Sequence, residues 1–193
     1  MGYSQSGLAV TGKSPETVRE ELNLRATGVR EEGAESPIIA ANLPKGWYLI
    51  VANRAEHSMI SDTVLQSLSV SCEVLTYTVE EHVMFSAASA WRDGRRLWSI
   101  SHESDSGRDH LATEGEPPTA LSAIRDRCVS QQRKARDAHE RVDYIFEIPV
   151  ELFKFFTGYR YDQDIPDLDD QTFEVLESIK PETKSWLKRL FPR

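Results

Sequence analysis

Hydrophobic and polar positions alternate most clearly between Cys72 and Ser104, CEVLTYTVEEHVMFSAASAWRDGRRLWSISHES. A period of two is the mark of half-buried strands. Asp93-Gly94 breaks the alternation with a pair suited to a type I′ turn, in which both central residues need positive φ. With a two-residue loop, Arg92 faces Arg95, Trp91 faces Arg96, Ser89 faces Trp98, Ala87 faces Ile100 and Phe85 faces His102. One face then carries Val83, Phe85, Ala87, Trp91, Trp98 and Ile100, and the other carries Met84, Ser86, Ala88, Ala90 and Leu97. Upstream, Leu75, Tyr77 and Val79 continue the parity of Val83, Phe85, Ala87 and Trp91 straight through Glu80-Glu81-His82. That continuity predicts one long, bent strand rather than two.

The remaining pattern alternates helices with strands. Gly7 to Val10 is a short apolar stretch, followed by a helix with Ser14 as N-cap, Pro15 at its first position and Glu16 at its positive end. Val18 and Leu22 share a face, and Asn23 or Gly28 marks the exit. Arg30 to Ser36 reads as loop. Ile38 to Ala41 and Trp47 to Ala52 read as strands about the turn Leu43-Pro44-Lys45-Gly46. Ser61-Asp62-Thr63 caps a short helix burying Val64, Leu65 and Leu68. Gly107 to Gly115 is a loop or short edge strand. Pro117-Pro118 starts the longest helix, to about His139, with Leu121, Ile124 and Cys128 facing inward. Tyr144 to Ile148 reads as a strand, and Pro149 opens an apolar helix closed by Gly158. The expected fold is α+β: a mostly antiparallel sheet with a central Asp-Gly hairpin and helices packed on it, as a single domain over 1–161. Residues 162–193 follow as an acidic stretch and a short amphipathic C-terminal helix.

Composition narrows function by exclusion. A formal charge of −8 over 193 residues argues against nucleic acid, which requires a basic surface, and favours a basic protein partner. Cys72 and Cys128 make no disulfide framework and show no metal spacing. No signal peptide and no run near the ~20 apolar residues of a membrane span is visible, so a soluble, cytoplasmic protein is the expectation.

Several motifs invite chemistry. Gly7-Leu-Ala-Val-Thr-Gly12-Lys13-Ser14 satisfies G-x-x-x-x-G-K-[ST], in which backbone N–H groups cradle phosphates, the lysine reaches the outer ones and the serine holds Mg²⁺. Its context argues against it: only MGYSQS precedes Gly7, and no apolar run ending in Asp follows to hold the metal. A strand leading into a capped helix accounts for the same residues, and no cofactor is called for. His102 with Glu81 of the same parity suggests a general base beside a carboxylate, and His82 and His110 are possible companions in a metal site. A core or rim histidine is the plainer account, since no HExxH or H-x-H pattern is present. Asp162, Asp164, Asp167, Asp169 and Asp170 resemble a calcium loop, but Pro166 and Asp167 fall where an EF-hand needs an acid or amide and then glycine. They read as a solvated acidic face suited to a partner. Trp186 and Leu190, like Leu187 and Phe191, lie four apart among Lys184, Lys188 and Arg189. This stripe is suited to docking on the chain's own acidic stretch or on a partner.

From Gly7 to Asp162 the chain resembles a family of uncharacterised bacterial proteins. The carrying segments are LAVTGKSPETV, LPKGWYLIVANR, VEEHVMFS, WRDGRRLWSISH, HLATEGEPP, VDYIFEIP and FFTGYRYD. The resemblance implies one compact unit and brings no catalytic residues with it. Two functions therefore stand against each other. One is a non-enzymatic interaction protein of the inhibitor or immunity type with a basic partner; the other is a small hydrolase or metal enzyme centred on His102 and Glu81.

Overall fold

The computed structural model describes residues 2–165 and 173–179. Within them the fold is α+β, built on one antiparallel nine-stranded sheet. In chain order the elements are β1 (Ser4–Thr11), α1 (Pro15–Glu21), β2 (Leu24–Glu31), β3 (Ile38–Asn42), β4 (Tyr48–Ala52), α2 (Asp62–Leu68) and β5 (Glu73–Glu80). Then come β6 (Phe85–Arg92), β7 (Arg95–Glu103), β8 (Ala112–Gly115), α3 (Ala120–Asp137), α4 (Glu147–Thr157) and β9 (Phe173–Ser178). The strand order is β2-β9-β3-β4-β1-β5-β6-β7-β8.

Each sheet face buries its own core. On one face, Leu49, Val51, Leu75, Tyr77, Val79, Ala88, Trp98 and Ile100 pack with Leu121, Ile124 and Cys128 of α3 and Ile148, Leu152 and Phe153 of α4. On the other, Leu8, Val10, Ile38, Ile50, Val74 and Trp91 pack with Val18 of α1 and Leu65 and Leu68 of α2. Burial on both sides explains why β1, β3 and β4 read as continuous apolar runs rather than as alternations. Helix α1 starts where its cap signals put it, with Ser14 Oγ accepting from Thr17 N–H, and Asn23 ends it at a φ of 55°.

The Asp93-Gly94 turn is present, with φ of 49° and 74°, as a type I′ turn demands. Its register is not the expected one. Arg92 faces Arg95 and Trp91 faces Arg96, but beyond them Ala90 faces Trp98, Ala88 faces Ile100 and Ser86 faces His102. The extra residue is Leu97, a β-bulge, and a one-residue slip sends every later side chain to the opposite face. Trp91 and Trp98 therefore sit in different cores. The expected long strand is also two strands: β5 and β6 pair with Glu80 opposite Phe85 around a four-residue loop in which Met84 takes a φ of 50°. The inward face of β6 is Ser86, Ala88 and Ala90, small side chains that let α4 approach, and this hid it from a reading based on bulky residues.

Tyr144 to Ile148 is not a strand. Asp143 Oδ1 accepts from the N–H groups of Ile145 and Phe146, and this local cap turns the apolar run into α4. Strands β2 and β9 were not anticipated. β2 is an edge strand with only Leu24 buried. β9 lies within the acidic stretch, yet enters the sheet between β2 and β3. Its carboxylates are balanced across strands: Glu177 pairs with Arg25 at 2.8 Å and Glu174 with Arg19 of α1 at 3.1 Å. No described helix is long and apolar enough to cross a membrane.

Candidate functional site

His102 sits on β7 beneath α4 with no exposed surface. Its Nδ1 lies 2.8 Å from the carbonyl oxygen of His110. Its Nε2 stands 3.2 Å from Asp143 Oδ2, an ion-pair distance without hydrogen-bond alignment. Burial works against the imidazolium, but Asp143 and the His110 carbonyl outweigh it and raise the His102 pKa above its ordinary value. Asp143 is itself penalised by burial, yet His102 and the N–H groups of the α4 entry hold it below the usual carboxylate value. Because Asp143 also caps the entry to α4, the pair clamps β7 to that helix. The imidazole is sealed from solvent between the strand and the helix entry.

The other expected companions go elsewhere. Glu81, in the β5–β6 loop, accepts from Tyr3 N–H and from the Tyr161 hydroxyl, each at 2.8 Å. His82 is exposed and pairs with Glu80 at 2.5 Å. His110 Nδ1 accepts from Glu103 N–H at 3.1 Å. The structure thus brings His102 and His110 near each other, ring centroids 6.4 Å apart, but leaves Glu81 and His82 with other partners. Among the described residues, no three His, Cys, Asp or Glu side chains are grouped to hold a metal ion.

The P-loop-like residues form no cradle. Gly7 is in the middle of β1, paired with Val51 and Tyr77, and a Cβ there would lie 2.3 Å from the Tyr77 ring. Gly12 ends the strand and Ser14 caps α1. Lys13 donates to both Glu21 oxygens and to the Leu68 carbonyl, all at 2.8 Å, which ties α1 to the end of α2.

At the start of the acidic stretch, Arg160 is surrounded by three carboxylates: Glu147 at 2.5 Å, Glu151 at 2.6 Å and Asp162 at 2.6 Å. Burial pushes Glu147 up, against the pull of Arg160. Tyr159 is pushed up to about 12, first by burial, so its hydroxyl remains a neutral partner of Tyr77. A cleft of about 540 Å³ opens here between Tyr3, the Glu32–Glu35 loop and residues 159–165, with Asp164 on its wall. Asp162 is therefore committed to Arg160. Asp167, Asp169 and Asp170, like Trp186, Leu190 and Phe191, lie outside the described residues.

The sequence reading missed a second acidic surface. Among the described residues, helices α1 and α2 cover only part of their sheet face. Farther along, Thr78, Ala87, Ser89, Ser99 and Ser101 are half-buried, and Ala112 and Glu114 are exposed. Two hollows, of about 310 and 710 Å³, share Thr78 and run across this uncovered part of β5–β8. Their walls carry Glu56, Asp62, Glu80, Glu103, Asp105 and Glu114 against Arg54 and Arg96. Arg96 already pairs with Glu114 at 2.9 Å and lies over the Trp91 ring. Half-buried Ile60 and Phe85 and exposed Val83 add apolar contact points. The signal for this surface was the run Ser99, Ser101, Glu103, small then acidic on one parity, but it needed the bulge at Leu97 to be assigned to a face.

Comparison with known proteins places nothing beside this architecture: no protein-family model, curated protein or solved structure matches the chain.

Proposed function

We propose that the protein is a non-enzymatic interaction protein, of the inhibitor or immunity type, and that it receives a basic protein partner on the uncovered face of β5–β8. The observation that carries this reading is the charge of that face. Six carboxylates line its two hollows against two arginines, and an acidic excess both steers a basic partner and disfavours acidic ones. The floor supports the same reading. Small Ala, Ser and Thr side chains leave room for a partner to lie close to the strands, while Ile60, Val83 and Phe85 offer apolar anchors at the margin.

The test is capture by the immobilised chain from extracts of its native host, run beside a Glu103→Lys, Asp105→Lys double variant. Both residues are exposed, so the variant keeps the fold. The expected result is a basic protein retained by the wild type, released by salt and depleted at least about tenfold on the variant, since two rim charges are reversed at once. Equal retention by both chains, or a retained set with no basic member, overturns the reading.

A further inference from the structure

We propose that residues 184–193 of the chain itself dock on the uncovered β5–β8 face, as a basic occupant that an outside partner must displace. The inference rests on the interaction surface described above and identifies what covers it.

Three observations converge on this occupant. The first is where the chain leaves the described fold. Strand β9 ends at Ser178, which shares a surface hollow with His57, Ser58, Met59 and Val64. The same turn and helix supply Ile60, Asp62 and Leu65 to the wall of the acidic face, so only α2 and the turn before it separate the exit from the face. The second is length. Five Cα–Cα steps from Ile179 to Lys184 span at most about 18 Å when extended, enough to round a helix of about 10 Å diameter, a half-turn of about 16 Å. Lys184 to Phe191, the part of the expected helix ahead of Pro192, would span about 12 Å as a helix, close to the roughly 10–14 Å across three to four adjacent strands.

The third observation is chemical complementarity. Lys184, Lys188, Arg189 and Arg193 are accompanied by no acidic residue after Glu182, and they would meet Glu56, Asp62, Glu80, Glu103, Asp105 and Glu114. Trp186 and Leu190, four apart and so on one side of a helix, would lie toward the floor between Ile60 and Phe85. The cleft at residues 159–165 carries Glu32, Glu35, Asp162 and Asp164 against Arg160, a smaller acidic excess than six carboxylates against two arginines here.

Zero-length carbodiimide coupling of the full chain tests this directly, since it joins a lysine to a carboxylate only when the two are in contact. The protein is an equal mixture of unlabelled and ¹⁵N-labelled chains, and linked peptides are read by mass spectrometry. The expected result is Lys184 or Lys188 joined to Glu56, Asp62, Glu80, Glu103, Asp105 or Glu114 within one isotope. The yield should fall several-fold at about 1 M salt, where charges are screened beyond roughly 3 Å, and also in an Ala87→Arg variant that fills the floor. Links to Glu32, Glu35 or Asp164 overturn the inference, as do links of mixed isotope, which report a second copy, or none at all. If links are missing while capture of a basic partner still depends on Glu103 and Asp105, this inference fails and the interaction surface stands. If capture is independent of those residues, the surface itself is misassigned.

Discussion

Replacing Asp143 with Asn isolates the charge in the buried His102–Asp143 pair. The amide keeps an oxygen to accept from Ile145 and Phe146 N–H, so the entry to α4 retains its cap and only the charge is lost. His102 is raised above its ordinary 6.5 in the folded protein. A histidine raised on folding contributes stability that is fully present below the unfolded value, about 6.5, and that fades as the pH climbs through the folded value. At pH 5.5 the variant must either hold an unpaired imidazolium, which costs ~3–5 kcal/mol when buried, or shed its proton. Shedding it one pH unit below the unfolded pKa costs about 1.4 kcal/mol, so the histidine takes that route. The lost attraction between the two charges adds roughly 1–2 kcal/mol, below a well-aligned charged hydrogen bond, giving a total near 3 kcal/mol. With a urea m-value of about 2 kcal/mol/M for a domain of this size, the midpoint should fall by about 1.5 M at pH 5.5. As the pH climbs through the folded value the imidazole becomes neutral in both proteins, so the difference should shrink toward about pH 9. Urea unfolding followed by tryptophan fluorescence at the two pH values is the assay. Equal midpoint shifts at both would show that the pair carries no charge coupling and refute the argument.

Gly7→Ala forces a methyl against the fully buried Tyr77 ring, so overpacking should cost up to about 3 kcal/mol; an unchanged urea midpoint would remove Gly7 from the strand interior. Gly94→Val places a β-branched residue at a φ of 74° and should cost ~1–3 kcal/mol, read as a lower melting temperature. Lys13→Ala, innocuous if the lysine were a surface residue, instead removes three hydrogen bonds from a side chain that is only 13% exposed. It should cost ~1–2 kcal/mol in chemical denaturation, and a loss below about 0.3 kcal/mol would place Lys13 in solvent.

What the sequence revealed, and what it concealed, divide along physical lines. Local signals were legible: Ser14 and Pro15 start α1, Asp93-Gly94 makes the turn, and Gly158 closes α4, because each depends on a few neighbouring residues. Signals that depend on tertiary packing were not. The bulge at Leu97 changes no local propensity but reassigns Trp98, Ile100 and His102 to the face opposite Trp91. The inward face of β6 is small because α4 presses on it, so its alternation looked like an outer face. Strand β9 is six residues long with three acidic or hydroxyl side chains, and it is a strand only because β2 and β3 hold it on either side. The candidate site followed the same rule. His102 was visible as a residue, but Asp143, its partner 41 positions away in the chain, was not. The acidic face of β5–β8 gathers residues from Glu56 to Glu114, which no linear charge run marks.

Carboxylate footprinting of a Lys184→Ala, Lys188→Ala, Arg189→Ala variant, whose C-terminal residues no longer cover the β5–β8 face, free and bound to the captured basic partner, puts the central claim to its most direct test. Carbodiimide and an amine label modify exposed carboxyl groups, and mass spectrometry reads each one. The account predicts that labelling of Glu56, Glu103, Asp105 and Glu114 falls in the complex while Glu32, Glu35 and Asp164, on the separate cleft, label as before. Protection confined to that cleft, with the β5–β8 carboxylates unchanged, would contradict it.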